Sequence, residues 1–344
     1  MAWSRLFQCG FEFRDVNELD TNVSYGSASS SISTTNHNTG TASYIAGGSA
    51  YPRGKAIAGT STLSIRTGCY FKTAGTNAGK EGCLFVITGS KTIIVTYDTY
   101  DNLLRLRVDG TIVDSIALSS TVMTTVNVWY NLGIYVYSDS TNGRIGFYIG
   151  GELILEYDGN TGTYINGIYA GGSYDSSSYN ASTYLDDFYA DYSTSLESET
   201  APPNLLFDAI KPTGDNTVAW STFGSASHYA NIDDTTPDSD STYNYVTVAN
   251  VADSCSLANF TVPSGFSIAA AIPTMIAKKT SAVTDPTLLI GMNENSTDAY
   301  GSGQSLTTTY AYYWERQTVA PDTDAWDDTN IDAANLIYKS GGTF

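Results

Sequence analysis

From about residue 61 to residue 192, apolar and polar residues alternate with the period of two that marks half-buried strands. Ser61–Arg66 alternates, and Gly82–Thr88 and Lys91–Tyr97 are compact apolar runs. In Asn102–Val108, Leu104, Leu106 and Val108 fall on one side, Leu103, Arg105 and Arg107 on the other. Asp109-Gly110 follows at once, a strong hairpin signal, and Thr111–Ile116 returns. Trp129–Tyr137 alternates in the same way, and Trp129 is expected in the core. Gly143–Ile149, the Gly150-Gly151 turn and Glu152–Tyr157 form a second predicted hairpin, and Tyr184–Tyr192 reads as a closing strand. Short strands at turn-punctuated spacing predict a β-sandwich or jelly roll.

The C-terminal part repeats this style less regularly. Tyr243–Val248, Ser256–Val262, Ser267–Met275, Thr287–Ile290 and Thr308–Trp314 are the expected strands, with a short helix or turn over Asp327–Ala334 before Asn335–Tyr338. No other stretch holds a helical period. Ser193–Asn204 is polar, lacks a strand pattern and carries Pro202-Pro203, which cannot join a sheet ladder and which stiffen a linker. The expected organisation is all-β, with one sandwich over 1–193, a linker over 194–203 and a second sandwich over 204–344.

The 344 residues give each domain a core of useful size. Charged residues are 15% of the chain, and Ser, Thr, Gly, Asn and Tyr take their place, a bias toward strands and turns. The formal charge of −19 argues against nucleic acid, whose phosphates need Lys and Arg, and against an anionic membrane surface. No apolar run approaches the length of a membrane span. The opening residues Met1–Arg5 lack the pattern of a signal peptide, so assembly in a reducing cytoplasm is expected. Cys9, Cys69, Cys83 and Cys255 have no CxxC spacing and are expected as free, mostly buried thiols.

Val126–Val136, then Gly143–Ile154, then Leu185-Asp186-Asp187-Phe188-Tyr189, with the opening Phe7–Glu12, resemble the concanavalin A-like, laminin-G-type jelly rolls in order and spacing. Leu306–Tyr313 and Ala325–Asp328 are similar to distal β domains of tailed-bacteriophage virion proteins. These resemblances imply a virion structural protein (head decoration, collar or tail component), assembled in the bacterial cytoplasm. It would dock on other virion proteins as a homo-oligomer. The alternative is a glycan-binding adhesin that attaches the particle to a host surface.

Catalysis is not expected. The jelly-roll glucanases carry Glu-x-Asp-x-Glu on one strand, and no such motif occurs. Glu152, Glu156 and Asp158 stand in the wrong order, as do Asp187 and Asp191. With His37 and His228 the only histidines, a Ser-His-Asp triad is poorly supplied. No cofactor is expected. Calcium is the one metal the composition raises, at Asp233-Asp234 with Asp238 and Asp240, or at Asp322, Asp324, Asp327 and Asp328, neither with EF-hand spacing. Solvated acidic loops are the competing reading. Tyrosines recur at 164, 169, 174, 179, 184 and 189 among Gly, Ser, Asn and Asp, the composition of adaptable recognition loops. Tyr169, Tyr174, Tyr179 and Tyr184 are therefore the candidate ligand-binding residues, and simple membership of the flanking strands is the alternative.

Overall fold

The computed structural model describes residues 3–9, 23–24, 30–33, 35, 38, 43–46, 53–57, 62–73, 81–98, 100–118, 123, 126–172, 183–197, 199–234, 238–280 and 284–344. The chain divides into two compact units, Met1–Ala209 and Ile210–Phe344. No helix among the described residues is long and apolar enough to cross a membrane.

The first unit is built of β1 (Ser4–Cys9), β2 (Val23–Ser24), β3 (Ser30–Ser33), β4 (Ser43–Ala46) and β5 (Arg53–Ala56). Then come β6 (Ser64–Thr73), β7 (Gly82–Gly89), β8 (Ile93–Asp98), β9 (Leu103–Val108) and β10 (Thr111–Ala117). Last are β11 (Tyr130–Tyr137), β12 (Gly143–Ile149), β13 (Glu152–Gly159), β14 (Ile165–Ala170) and β15 (Thr183–Ser193). One antiparallel sheet has the order β13-β12-β11-β6-β15-β4-β3, with β1 also on β15, and the other the order β10-β9-β8-β7-β14-β5-β2. Both expected hairpins form. Asp109 and Gly110 turn at φ 49° and 79°, Gly150 and Gly151 at 60° and 87°, the left-handed geometry a two-residue hairpin loop requires.

The two sheets face each other across one core. Ile65, Phe71, Leu132, Ile134, Ile145 and Phe147 from the first meet Leu84, Phe85, Ile87, Val95, Leu104 and Leu106 from the second, all buried. Phe85 and Phe147 cross edge-to-face at 6.3 Å, and Phe71 and Tyr97 at 5.5 Å. The phenol of Tyr97 donates to Thr73 at 2.7 Å, so this interior hydroxyl is paired.

The outer face of the first sheet is not bare. Gly133 pairs with Gly68, and Gly146 with Tyr135, which opens a furrow without side chains across β6, β11 and β12. The segment after β15 runs along it. A Cβ on Gly133 would lie 2.9 Å from Pro202 Cγ, and one on Gly146 2.5 Å from a Glu199 carboxylate oxygen. Tyr135 donates to the Glu197 carbonyl at 2.8 Å and Tyr189 to that of Pro203 at 2.6 Å. Tyr148 donates to Glu199 at 3.1 Å, and the Phe207 amide to Asp187 at 2.7 Å. Residues 194–197 and 199–203, part of the segment that the sequence reads as a linker, lie as a strap on the first unit. Burial under it pushes the Tyr135 phenol up to about 12.

Trp129 is not a core residue. It is half-buried and precedes β11, whose even-numbered Leu132, Ile134 and Val136 point inward. Its odd position puts it on the outer face, edge-to-face with Tyr184 at 6.4 Å and with the Lys72 ammonium 5.8 Å from its ring.

The second unit is all-β with one short helix. Its elements are β16 (Pro212–Thr217), β17 (Ser221–Phe223), a 3-10 turn at Tyr229–Asn231, β18 (Tyr243–Tyr245), β19 (Ala252–Leu257) and β20 (Thr274–Ala277). They continue with β21 (Asp285–Glu294), β22 (Thr297–Tyr300), β23 (Gln304–Ser305), β24 (Ala311–Trp314), α1 (Asp328–Ala333) and β25 (Asn335–Thr343). The main sheet runs β16-β19-β25-β21-β22, with β23 on β21, while β17–β18 and β20–β24 form two ribbons. The strand expected at Ser256–Val262 starts earlier, as β19, and Ser267–Met275 contributes only the start of β20. The edge strand β16 was not foreseen, because Pro-Thr-Gly-Asp-Asn-Thr, mostly exposed, carries no apolar alternation. Asp327 caps α1 by accepting from the Thr329 and Asn330 amides, and Asn330 returns the bond to Asp327.

Candidate functional site

The outer face of the second sheet of the first unit gathers a cluster of charged side chains on β8, β9 and the residue before β7. The alternation of β8 and β9 turns Ile93, Val95, Leu104 and Leu106 inward and leaves Ile94, Thr96, Arg105 and Arg107 outward. Thr96 lies opposite both Cys83 and Arg105, and Ile94 opposite Val86 and Arg107. Two arginines thus stand side by side on one strand, spaced i,i+2.

Glu81, just before β7, reaches across β8 to both of them. Its Oε1 accepts from Arg105 Nη1 at 2.7 Å and from Arg107 Nη2 at 2.8 Å. The three side chains are 12–15% exposed, so the cluster is recessed but not sealed. Asp98, buried, lies 3.8 Å from Arg105 through one oxygen and receives the Tyr100 and Asp101 amides on the other, which shapes the turn into β9. The second Glu81 oxygen and the hydroxyl of fully buried Thr96 have no hydrogen-bond partner. Such groups cost about 1–3 kcal/mol each when left unmade. Beside the cluster lies a small apolar patch of Cys83, Val86 and Tyr169, with Ile94 packed against it. The arrangement sets one carboxylate against two fixed guanidinium donors, with half-buried Ile94 as its apolar neighbour.

Of the tyrosines singled out from sequence, the two among the described residues lie on different sheets. Tyr169 is on β14, 6% exposed, and packs into the apolar patch of the second sheet. Tyr184 is on β15, half-buried on the outer face of the first sheet, with Trp129 and with the Lys72 ammonium 5.6 Å from its ring. Tyr174 and Tyr179 lie outside the described residues. The sequence did show Arg105 and Arg107 on one face, a signal in a chain with 16 basic residues. Glu81 carried no signal, because its partners are two strands away.

Among the described residues, no group of three or more His, Cys, Asp or Glu is placed to hold a metal ion. The acidic clusters serve other ends. Asp240 pairs with Lys278 at 2.7 Å, Asp327 caps α1, Asp328 accepts the Val262 amide, and Asp322 accepts the Asp324 amide. Cys69, Cys83 and Cys255 are free and buried, and burial raises all three thiols, that of Cys255 to about 12. In the second unit His228 Nδ1 meets Asp253 Oδ2 at 2.5 Å. The same carboxylate also accepts from Tyr338 and from the Ala219 and Trp220 amides. This is a buried network, and the Cys255 thiol adjoins it through the Tyr338 phenol.

No protein-family model matches the sequence, and no curated protein matches it. Among similar solved structures is galectin LEC-6 of Caenorhabditis elegans, 12% identical, at TM-score 0.30, covering 42% of this chain and 94% of that one. Another is the carbohydrate-binding module CBM66 of Bacillus subtilis, 8% identical, at TM-score 0.31, covering 48% and 92%. A third is the endo-1,3-β-glucanase of Streptomyces sioyaensis, 10% identical, at TM-score 0.33, covering 55% and 96%. These scores carry no weight for fold or activity, and the all-β assignment stands on the sheets themselves.

Proposed function

We propose that the first unit is a non-enzymatic recognition module for a hydroxyl-rich ligand, a glycan, bound on the outer face of its second sheet at Glu81, Arg105 and Arg107. The observation that carries this reading is the Glu81 carboxylate, with Oε1 held by both guanidiniums and Oε2 buried without a hydrogen-bond partner. A pair of neighbouring sugar hydroxyls matches it: one donates to Glu81 while the other accepts from an arginine, and the ring lies against half-buried Ile94. Charge-assisted bonds of this kind are about twice as strong as neutral ones. The opposite outer face is filled at its centre by the strap, which leaves the Arg–Glu face as the better candidate. Binding is preferred to hydrolysis because the retaining and inverting mechanisms each need a second carboxyl across the scissile bond, and the charged partners that Glu81 meets here are two arginines.

The virion role expected from sequence is a proposal that rests on resemblance, and the Glu81–Arg105–Arg107 cluster supports recognition. The test is a glycan array probed with the parent chain and with Glu81→Gln and Arg107→Ala. The reading expects at least one glycan bound by the parent to be lost by both variants while their melting curves keep the parent's shape. An array without signal overturns it. Release of reducing ends from a bound glycan, abolished by Glu81→Gln, would replace the binder with a hydrolase.

A further inference from the structure

The second unit displays aromatic rings where a soluble ribbon ordinarily carries polar groups. In the β17–β18 ribbon Phe223 stands opposite Tyr243, and Ser221 opposite Tyr245. Strand alternation sends Asn244 to one face and Phe223, Tyr243 and Tyr245 to the other. Asn244 is locked inward: its amide nitrogen donates to the His228 carbonyl at 2.9 Å and to the Tyr338 phenol at 2.8 Å, and its oxygen accepts from Asn231 at 2.9 Å. The ring face is therefore held outward. Phe223 is 52% and Tyr245 44% exposed. Phe223 and Tyr243 stack with centroids 5.0 Å apart and planes 21° from parallel, and Tyr243 and Tyr245 follow at 5.9 Å.

A polar edge adjoins this floor. Tyr310 is near enough to Tyr243 for that phenol to add to the upward push on the Tyr310 hydroxyl, which comes first from burial and then from Asp240. Its hydroxyl donates to Asp240 at 2.8 Å, and Lys278 grips both oxygens of the same carboxylate at 2.7 and 2.9 Å. The Lys278 ammonium also lies 4.3 Å over the Tyr310 ring, which fixes that side chain in place. Thr242, one residue before β18, is tied to Asp238 at 2.8 Å, so the turn that carries Asp240 is held to the ribbon.

We propose that Phe223, Tyr243 and Tyr245 form a second saccharide site, in which the C–H face of a pyranose stacks on the rings and its rim hydroxyls meet Tyr310, Asp240 and Lys278. An apolar floor with a hydrogen-bonding rim fits a sugar ring, which has an apolar face and a polar edge. A nucleobase would bring phosphates to a chain of net charge −19. A protein partner would call for a wider apolar patch than three rings supply. The inference rests on the second unit alone. A chain that bound sugar only here would keep it and lose the preceding proposal.

The test is titration of the full chain with cellohexaose, xylohexaose, mannohexaose and chitohexaose, followed by calorimetry, for the parent and for Phe223→Ala, Tyr245→Ala and Glu81→Gln. At least one hexaose is expected to bind. Phe223→Ala and Tyr245→Ala are each expected to weaken that binding roughly three- to tenfold, the range set by one aromatic contact, while Glu81→Gln leaves it in place. Tyr245→Ala is the safeguard against misfolding, since its ring is the half-exposed end of the row. No binding by any hexaose overturns the proposal, as does binding that both ring variants keep at parental strength. Sedimentation velocity supplies the other occupant. A parent dimer that Phe223→Asp converts to monomer would make the rings an interface between copies and overturn the saccharide assignment.

Discussion

Replacing Phe147 by alanine is expected to cost the first unit far more than replacing Trp129, although tryptophan is the larger residue. Phe147 is fully buried on β12 and crosses Phe85 of the opposite sheet at 6.3 Å, so it joins the two layers of the sandwich. Truncation leaves a cavity in a close-packed core, at about 3–5 kcal/mol. That is a large share of a domain stability of about 5–15 kcal/mol. Trp129 is half-buried on the outer face, and its contacts are the edge of Tyr184 and the Lys72 ammonium. Their loss is worth about 1–2 kcal/mol together. The assay is urea unfolding of the full chain by far-ultraviolet circular dichroism, with the first unit's transition compared between variants at unchanged slope. A Trp129→Ala variant that loses as much stability as Phe147→Ala would refute the assignment of the core.

Three further outcomes follow from particular contacts. Asp253→Ala strips a buried carboxylate from His228, Tyr338 and two amides, and is expected to cost the second unit about 3–5 kcal/mol; unchanged hydrogen-exchange protection along β19 and β25 would contradict this. Gly133→Val puts a Cβ where Pro202 lies, so the strap should lift and glutamyl endoprotease should cut after Glu197 or Glu199 faster than in the parent; parental cleavage rates would show that the strap is held by other means. Asp109 takes the Thr92 amide and then the Lys91 ammonium, which together hold its carboxyl below the ordinary carboxylate range. Because the folded value is depressed, its contribution to the β9–β10 turn is present above the ordinary value of about 3.9 and is lost as pH falls through the depressed one. A side-chain carbon titration by NMR with a midpoint at or above the ordinary value would rule this out.

Local chemistry made much of the first unit legible. Asp109-Gly110 and Gly150-Gly151 announce their hairpins because the turn itself demands those residues, and the inward row of β9 follows from parity alone. The same parity, applied to Leu132, Ile134 and Val136, places Trp129 outside. The expectation that it was buried followed residue type and ignored phase. The strap was illegible for a different reason. Ser193–Asn204 reads as a polar, proline-stiffened spacer, and the furrow that receives it is assembled from Gly68, Gly133 and Gly146 on three separate strands. The candidate site divides in the same way. Arg105 and Arg107 are adjacent in sequence pattern, whereas Glu81 meets them only through the order β7-β8-β9. The tyrosine spacing of five respects neither strand nor helix, and Tyr169 and Tyr184 accordingly sit on different sheets. In the second unit β16 and the β17–β18 ribbon are short and polar or aromatic, so tertiary pairing, and not alternation, defines them.

The central claim is that a sugar meets the first unit at the Glu81–Arg105–Arg107 face. The most direct measurement is NMR mapping of the isotopically labelled chain against the strongest glycan of the array, with the guanidinium Nε–H signals of Arg105 and Arg107 followed beside the backbone amides. The account predicts shifts centred on those two guanidiniums and on the amides of β7, β8 and β9. Shifts confined instead to the outer face of the first sheet, around Trp129, Tyr184 and Lys72, would contradict it.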